Sequence, residues 1–335
     1  MATERLTYKC RLVTPMFMGG ADGRTAELRP PSIKGVLRFW WRALHAADGV
    51  AAMREKEKEL FGGVFGDEAT RSKVGLSIAN ALLAPSRAKL PNHPLMVTSK
   101  GRTFPINVLE YLAYGALEYQ RGAGNVFIRD YSVPGGTFEI RLSVSGNHKD
   151  AIIQLCRIAF GFGGLGSKGH NGFGSVDVED QDHSIEKDFH ELRKERQGSA
   201  LPSYPAFSSG MKLWRTKSTH GSWDGALADL AKGYREARLT VEPLHQYNDR
   251  QFIGAPLIAD KHTYSFLERH AKPYFMSVHQ QGGKYRGYIL YLPSAYAPDK
   301  AKSAAETTQW DDSFARVCSR LNMGLSGTAF VEEVL

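Results

Sequence analysis

The 335-residue sequence has only three cysteines, Cys10, Cys156 and Cys318, far apart along the chain. None share a metal-type spacing, and an odd number does not make a disulfide framework, so each reads as a small buried hydrophobe. No H-x-x-x-H, H-E-x-x-H or paired-cysteine pattern occurs, so neither a metal nor a cofactor is expected. No run of about 18 apolar residues is present, which argues against a membrane span and a membrane partner. The opening "MATERLTYKC" lacks an apolar signal core and predicts a cytoplasmic protein. One shortage is local: between Leu28 and Ala47 there is no Asp or Glu.

What is present is ordinary in bulk and uneven in charge. Hydrophobic residues make up 42% and charged residues 23% of the chain, typical of a folded protein with a sizeable core. The formal net charge of +8 favours a polyanionic partner. Residues 1–45 hold eight Lys/Arg against three Asp/Glu, whereas a merely solubilising surface would spread its charge.

Strand-like residues over 5–18 end at Gly19-Gly20, and "GGADGRTAELRPP" carries the punctuation of a loop. Ser32 is placed as the N-cap of a helix running to about Ala47. The pattern then predicts a strand over 74–83, a loop over 84–106, a helix over 107–120 and an alternating strand over 136–146. A helix over 149–160 sets Ile152, Leu155, Cys156 and Ala159 on one face, and "GSVDVED" closes the unit as a strand. Strand, helix, strand, strand, helix, strand is the ferredoxin-like split βαβ order. The charge-dense residues 180–200, ending in "GSALPS", predict a boundary with a short solvated helix. A looser version follows: strand 210–216, helix 223–239, a hairpin of 272–280 and 284–293 around Gly282-Gly283, helix 310–325 and a last strand in "TAFVEEVL". The expected class is α+β, two ferredoxin-like (RRM-like) domains with insertions, covering residues 1–180 and 200–335.

"SIKGVLRFWWRAL" (32–44) carries Lys34, Arg38 and Arg42 at four-residue spacing. On a wheel advancing about 100° per residue, Ile33, Val36, Leu37, Trp40, Ala43 and Leu44 share a broad apolar arc. Lys34, Arg38, Arg42 and His45 share another, with Trp41 between the two and Phe39 on the far flank. Trp40 therefore points to the core, and Trp41 is placed to stack on a base or pack beneath arginine. A like-charge stripe costs a few tenths of a kcal/mol per pair, so a stripe without interleaved acids predicts a polyanion that neutralises it. Arg24 and Arg29 extend the patch toward the helix N-terminus, where backbone N–H groups favour phosphate. "EKEKEL" (55–60) and "REAR" (235–238) read as solvated, self-satisfying charge.

"GFGGLGSKGHNGFGS" (161–175) holds seven glycines. Gly161, Gly163 and Gly166 match G-x-G-x-x-G formally, but a helix precedes the motif and a strand follows it, the reverse of a dinucleotide fold. The loop allows close backbone approach to a ligand, and Lys168, His170 and Asn171 add donors. A glycine-rich turn packed on the sheet is the structural alternative.

"PPSIKGVLRFWWRAL", "LFGGVFGDEATRSKVGLSI" and "FGFGGLGSKGHNGFGS" together resemble the RAMP superfamily of CRISPR effector proteins. The double aromatic after "KGVLRF" is most similar to the first RAMP subunit of Cmr, or type III-B, complexes, as is "ERHAKPYFMSVHQQGGKYRGYILYLP". The resemblance implies two ferredoxin-like units and a place in a ribonucleoprotein in which CRISPR guide RNA recognises invading transcripts. It implies a position near the guide's 3′ region, beside other RAMP subunits. Lys34, Arg38 and Arg42 match the family's basic helix, and Gly164, Gly166 and Gly172 match its glycine loop. Family members commonly carry arginines where Lys168, His170 and Asn171 stand here, so this loop is expected to grip phosphate less strongly.

Some backbone RAMP subunits cleave target RNA with an Asp in the loop after the first strand, and Asp22 lies in the corresponding loop. Asp-Gly is also an ordinary turn dipeptide. Other RAMP ribonucleases use His, for which His45 and His170 are candidates without a visible acid–base mate. The expected function is a non-catalytic RNA-binding subunit, with an endoribonuclease or a pure protein scaffold as alternatives. Its expected partners are CRISPR guide RNA, target RNA and other RAMP subunits of the Cmr complex. The expected RNA contacts are Arg24, Arg29, Ser32, Lys34, Arg38, Trp41 and Arg42, with Gly164, Gly166, Ser167, Lys168, His170 and Asn171 from the glycine loop. That reading presumes a cationic ridge open to solvent and free of carboxylate partners.

Overall fold

The computed structural model describes residues 3–65, 68–99, 101–179, 184–242, 246–255, 257–259, 262–263, 265, 267–270, 272–296, 300–301, 303–327 and 330–334. β1 (Thr3–Leu12) alternates, turning Tyr8, Cys10 and Leu12 inward and Arg5, Thr7 and Lys9 to solvent, the pattern of a strand with one wet face. Then come α1 (Pro30–Leu44), α2 (Val50–Phe61), β2 (Val74–Leu82) and the short α3 (Val108–Leu112). β3 (Thr137–Ser145), α4 (Lys149–Phe162) and β4 (Val176–Val178) complete the first half. The strands form an antiparallel sheet in the order β4-β1-β3-β2. β1 pairs with β3 from Thr3↔Ser145 to Arg11↔Thr137. α1 and α4 cover its apolar face, with Ile33, Leu37, Trp40 and Leu44 packing in one core with Ile152, Leu155 and Ile158.

α5 (Ile185–Glu195) leads into the second half, where β5 (Lys212–Thr216), α6 (Trp223–Leu239), β6 (Tyr274–Gln281), β7 (Lys284–Tyr291), α7 (Ala304–Gly327) and β8 (Phe330–Glu332) follow. This sheet is also antiparallel, in the order β6-β7-β5-β8. The molecule is thus a mixed α+β protein with antiparallel sheets, and among the described residues no helix is long and apolar enough to cross a membrane.

Several local expectations are corrected. The loop expected over 84–106 contains a hairpin, Pro94–Ser99 against Arg102–Asn107. The helix expected over 107–120 stops at Leu112. Gly115 adopts φ +88°, and Leu117–Gln120 pairs with Gly124–Phe127 as a second hairpin. A positive φ is a turn conformation that a helix cannot continue through. α5 is not a solvated helix: Ile185, Phe189 and Leu192 are buried. Residues 180–183 of the expected boundary lie outside the described residues, as do Thr328, Ala329 and Leu335 of the closing segment. Ser32 is not the N-cap. Arg29 takes that position, and Pro30 and Pro31 open the helix, where the missing proline N–H is no loss.

The two halves share their cores. Phe275, Tyr288 and Leu290 pack into the cluster around α1 and α4. Val13, Phe17 and Phe173 join the cluster around α6 and α7. Each such side chain contributes about 1.5–3 kcal/mol through burial. Polar ties cross the same seam. The Gly161 carbonyl accepts from Ser277 Oγ at 3.1 Å and lies 2.8 Å from His279 Nε2, while His279 Nδ1 lies 2.8 Å from Asp177 Oδ1.

Candidate nucleic-acid interface

Lys34, Arg38 and Arg42 do form a ridge along α1, but it is not free of carboxylates. Glu57, from α2, reaches across with one oxygen, accepting from Arg38 Nε at 2.7 Å and from Arg42 at 2.8 Å. The carboxylate side chain is only 8% exposed, and the two arginines are 35% and 36% exposed. Lys34 Nζ donates to Ser72 Oγ at 2.6 Å and to the Val74 carbonyl at 3.1 Å. Its pKa is lowered by burial and by the neighbouring Arg38. The ridge is therefore matched from within the molecule. The reason lies in "EKEKEL", which is not simply solvated: Met53, Glu57 and Leu60 are all buried, spaced four and three residues apart, so Glu57 sits on the buried stripe of α2. That spacing was the available signal.

Trp41 is corrected too. It is 4% exposed, stacks on His45 at 4.1 Å between ring centroids and meets Phe61 edge-on, so no base can reach it. His45 Nδ1–H donates to the Trp41 carbonyl at 2.8 Å, and burial lowers its pKa. The helix N-terminus offers little to phosphate. Pro30 and Pro31 have no N–H, and the Ser32 and Ile33 N–H groups donate to the Arg29 carbonyl at 3.1 and 3.2 Å. Arg29 lies 3.9 Å from Glu27.

Arg24 lines a separate hollow of about 470 Å³ with Asp22, Arg87, Glu118 and Arg129. The Asp22 carboxylate accepts from the Thr25 hydroxyl at 2.6 Å and from the backbone N–H groups of Arg24 and Thr25 at 2.9 and 3.0 Å. Those bonds, the hydroxyl first, hold its pKa down to about 2. It acts as the cap of its own turn.

The glycine loop is built largely for packing. A Cβ at Gly164 would stand 2.2 Å from the Phe173 carbonyl oxygen; at Gly166, where φ is +83°, it would stand 2.6 Å from that of Phe17. Ser167 donates to the Phe17 carbonyl from its N–H at 2.7 Å and its hydroxyl at 3.1 Å. The Asn171 amide donates to the Leu112 carbonyl at 2.8 Å. Ser167, an expected RNA contact, and Asn171, an expected donor, are thus engaged internally. Lys168 is different. It takes the left-handed conformation, φ +66°, and no described carboxylate pairs with it.

Lys168 opens onto a cleft of about 790 Å³ between the two halves. One wall is α1, but through Ser32, Gly35, Val36 and Phe39 rather than through the cationic ridge; the floor is the glycine loop, including Gly164, Gly166 and His170. The opposite wall comes from the second half: Arg238 at the end of α6, Arg250 and Ile253, and Lys272 and Phe275 at the start of β6. The described lining holds four cations and no Asp or Glu. Arg250 pairs with Glu242 at 2.8 Å, outside the lining, and Arg238 donates to the Tyr111 hydroxyl. Lys272 lies 4.7 Å over the Tyr234 ring, with no described carboxylate partner. Burial, then the nearby Arg238, pushes its pKa down to about 7. Burial also lowers Lys168, with Arg129 adding to the effect. His170 packs 4.2 Å from Phe275 and 5.9 Å from Phe39; burial, then Lys272, pushes it down to about 4, so it is neutral at physiological pH.

Of the expected residues, the cleft gathers Ser32, Gly164, Gly166, Lys168, His170 and Asn171. Lys34, Arg38, Trp41, Arg42, Arg24, Arg29 and Asp22 lie elsewhere. Phe39 was missed because the wheel left it on a flank of α1, and Arg238, Arg250, Lys272 and Phe275 were missed because only the packing of the second half brings them there. Among the described residues no group of three or more His, Cys, Asp or Glu is arranged to hold a metal ion.

A family model described as the RAMP superfamily matches residues 9–177. The chain is 25% identical over 181 residues to the CRISPR system Cmr subunit Cmr1-2 of Pyrococcus furiosus, covering 51% of this chain and 94% of that protein. It is 25% identical over 307 residues to Cmr1-1 of the same organism, covering 82% of each. The fold is similar to the crystal structure of apo Cmr1 from Pyrococcus furiosus, with a TM-score of 0.54 and 20% identity over 99% of both chains. It is also similar to a chain of the type III-B Cmr-beta complex bound to cognate target RNA, with a TM-score of 0.52, 11% identity, and coverage of 95% of this chain and 100% of that one.

Proposed function

Because the chain belongs to the RAMP superfamily, we propose that it is a non-catalytic RNA-binding subunit of a type III-B (Cmr) CRISPR ribonucleoprotein. Its partners are CRISPR guide RNA, target RNA and neighbouring RAMP subunits, and its place is near the guide's 3′ region. We read the two sheets as ferredoxin-like units, residues 1–180 and 200–335, joined around the cleft. Its relatives named as Cmr1 subunits support the assembly.

The observation that carries RNA binding is the cleft itself: Lys168, Arg238, Arg250 and Lys272 converge on one hollow whose described lining contains no acid. Arg250 is paired with Glu242, but Lys168, Arg238 and Lys272 have no described carboxylate partner; cations held close together repel one another, and a phosphate backbone relieves that repulsion. The non-catalytic reading is supported by the three candidate groups: His45 bonds the Trp41 carbonyl and stacks on the Trp41 ring. His170 is a weak base with its pKa near 4, and the Asp22 carboxylate is held by its own turn.

Single-stranded RNA gripped through about four phosphates should show a log–log salt slope near −3. Lys168→Ala combined with Lys272→Ala should weaken binding and reduce that slope by about 1.4. Fluorescence anisotropy with a labelled oligonucleotide, measured over a salt series, checks this. An unchanged isotherm and slope in the double variant would reject the cleft as the RNA site, and labelled RNA cut by the purified wild type would reject the non-catalytic reading.

A further inference from the structure

The cleft is chemically two-sided. The cations stand on the glycine-loop and second-half walls. Val36 and Phe39 of α1 face it together with Ile253 and Leu257 from the second half. Phe39 is part-buried, and the rest of its ring is open to the hollow. Behind it the packing is aromatic: Trp40 lies edge-on at 5.3 Å, and Phe275 lies at 5.5 Å. Phe275 is 2% exposed and Trp40 2%, so of these three rings Phe39 is the one a ligand can meet, fixed in place by the other two and flanked by His170 at 5.9 Å. A phosphate needs none of this apolar surface.

We propose that the apolar wall is a nucleobase slot in which one unpaired base packs on Phe39 while its flanking phosphates reach Lys168 and Lys272. The inference rests on the cleft as the RNA site and adds to its phosphate grip a contact with one base of the bound strand. A base can reach such a wall only when it is out of a duplex stack, as in most sequence-tolerant single-strand recognition. The geometry also reassigns the stacking role on α1. Trp41 is sealed against α2, and the ring two positions earlier, on the other side of the helix, meets the hollow.

The test compares two anions on the full chain: a single-stranded RNA oligonucleotide and inorganic polyphosphate of similar charge. Phe39→Ala and Phe39→Leu should each weaken RNA binding about tenfold, the usual effect of losing one base–aromatic stack. Both should leave polyphosphate binding within about twofold, which also reports an intact cleft. Phe39→Tyr should retain wild-type RNA affinity. Equal loss for both anions, or no loss for either, overturns the slot. If instead the Lys168/Lys272 double variant binds RNA as the wild type does, the cleft reading fails first, and the two failures are distinguishable.

Discussion

Replacing Glu57 with Gln separates the two roles that a basic helix can have. The substitution keeps the side chain's shape and removes the charge that Arg38 and Arg42 share. Hydrogen bonds to a charged group contribute about 1.5–3 kcal/mol each when well buried. Both arginines are about one-third open to water, and both bond the same oxygen, so solvent screening and sharing reduce the sum. The expected loss is about 2 kcal/mol, read from urea unfolding, with a fall in Tm of about 4 °C. A cycle with Arg38→Gln should give a coupling of about 1 kcal/mol. RNA affinity should stay within about twofold, because the cleft does not include the ridge. Two results would refute the reasoning. One is a coupling within about 0.3 kcal/mol of zero, which additivity gives for independent sites. The other is RNA binding tightened about tenfold by the freed arginines.

Three further expectations follow from named positions. Lys272 has its pKa lowered to about 7 from its usual 10.5, so the ammonium is present below about pH 7 and lost above it. RNA affinity should therefore decline as pH rises from 6 to 8, and Lys272→Arg, which stays charged, should flatten that profile in anisotropy titrations. Gly164→Ala, whose Cβ meets a carbonyl oxygen at 2.2 Å, should cost about 3 kcal/mol or more in chemical denaturation. Gly23→Ala, with φ +66° and open space around it, should cost only about 1–2 kcal/mol.

Much of the secondary structure was legible because it follows from local pattern. The helices over 149–160 and 223–239 and the hairpin around Gly282-Gly283 correspond to α4, α6 and β6–β7, where periodicity and glycine punctuation dominate. The hairpins inside 84–127 were not legible. Their helix-like run "NVLEYLAYGALEYQ" is broken at Gly115, whose left-handed backbone only the surrounding fold demands. The wheel on α1 separated core from cation correctly for Trp40, Lys34, Arg38 and Arg42, but a wheel has no partner in it. Glu57, fifteen residues beyond Arg42, decides whether the ridge is open, and α2 decides whether Trp41 is. For the same reason the cleft was half visible. Its floor lies in one conspicuous loop, while Arg238, Arg250 and Lys272 are unremarkable residues until the second sheet folds against the first.

The exchange of large side chains across the seam has a consequence for how the molecule can be divided. A cut anywhere between the sheets would leave the first half without Phe275, Tyr288 and Leu290, and the second without Val13, Phe17 and Phe173. Neither fragment would keep a closed interior. Expression and degradation should treat this chain as one body, however clearly its two sheets repeat the same strand order.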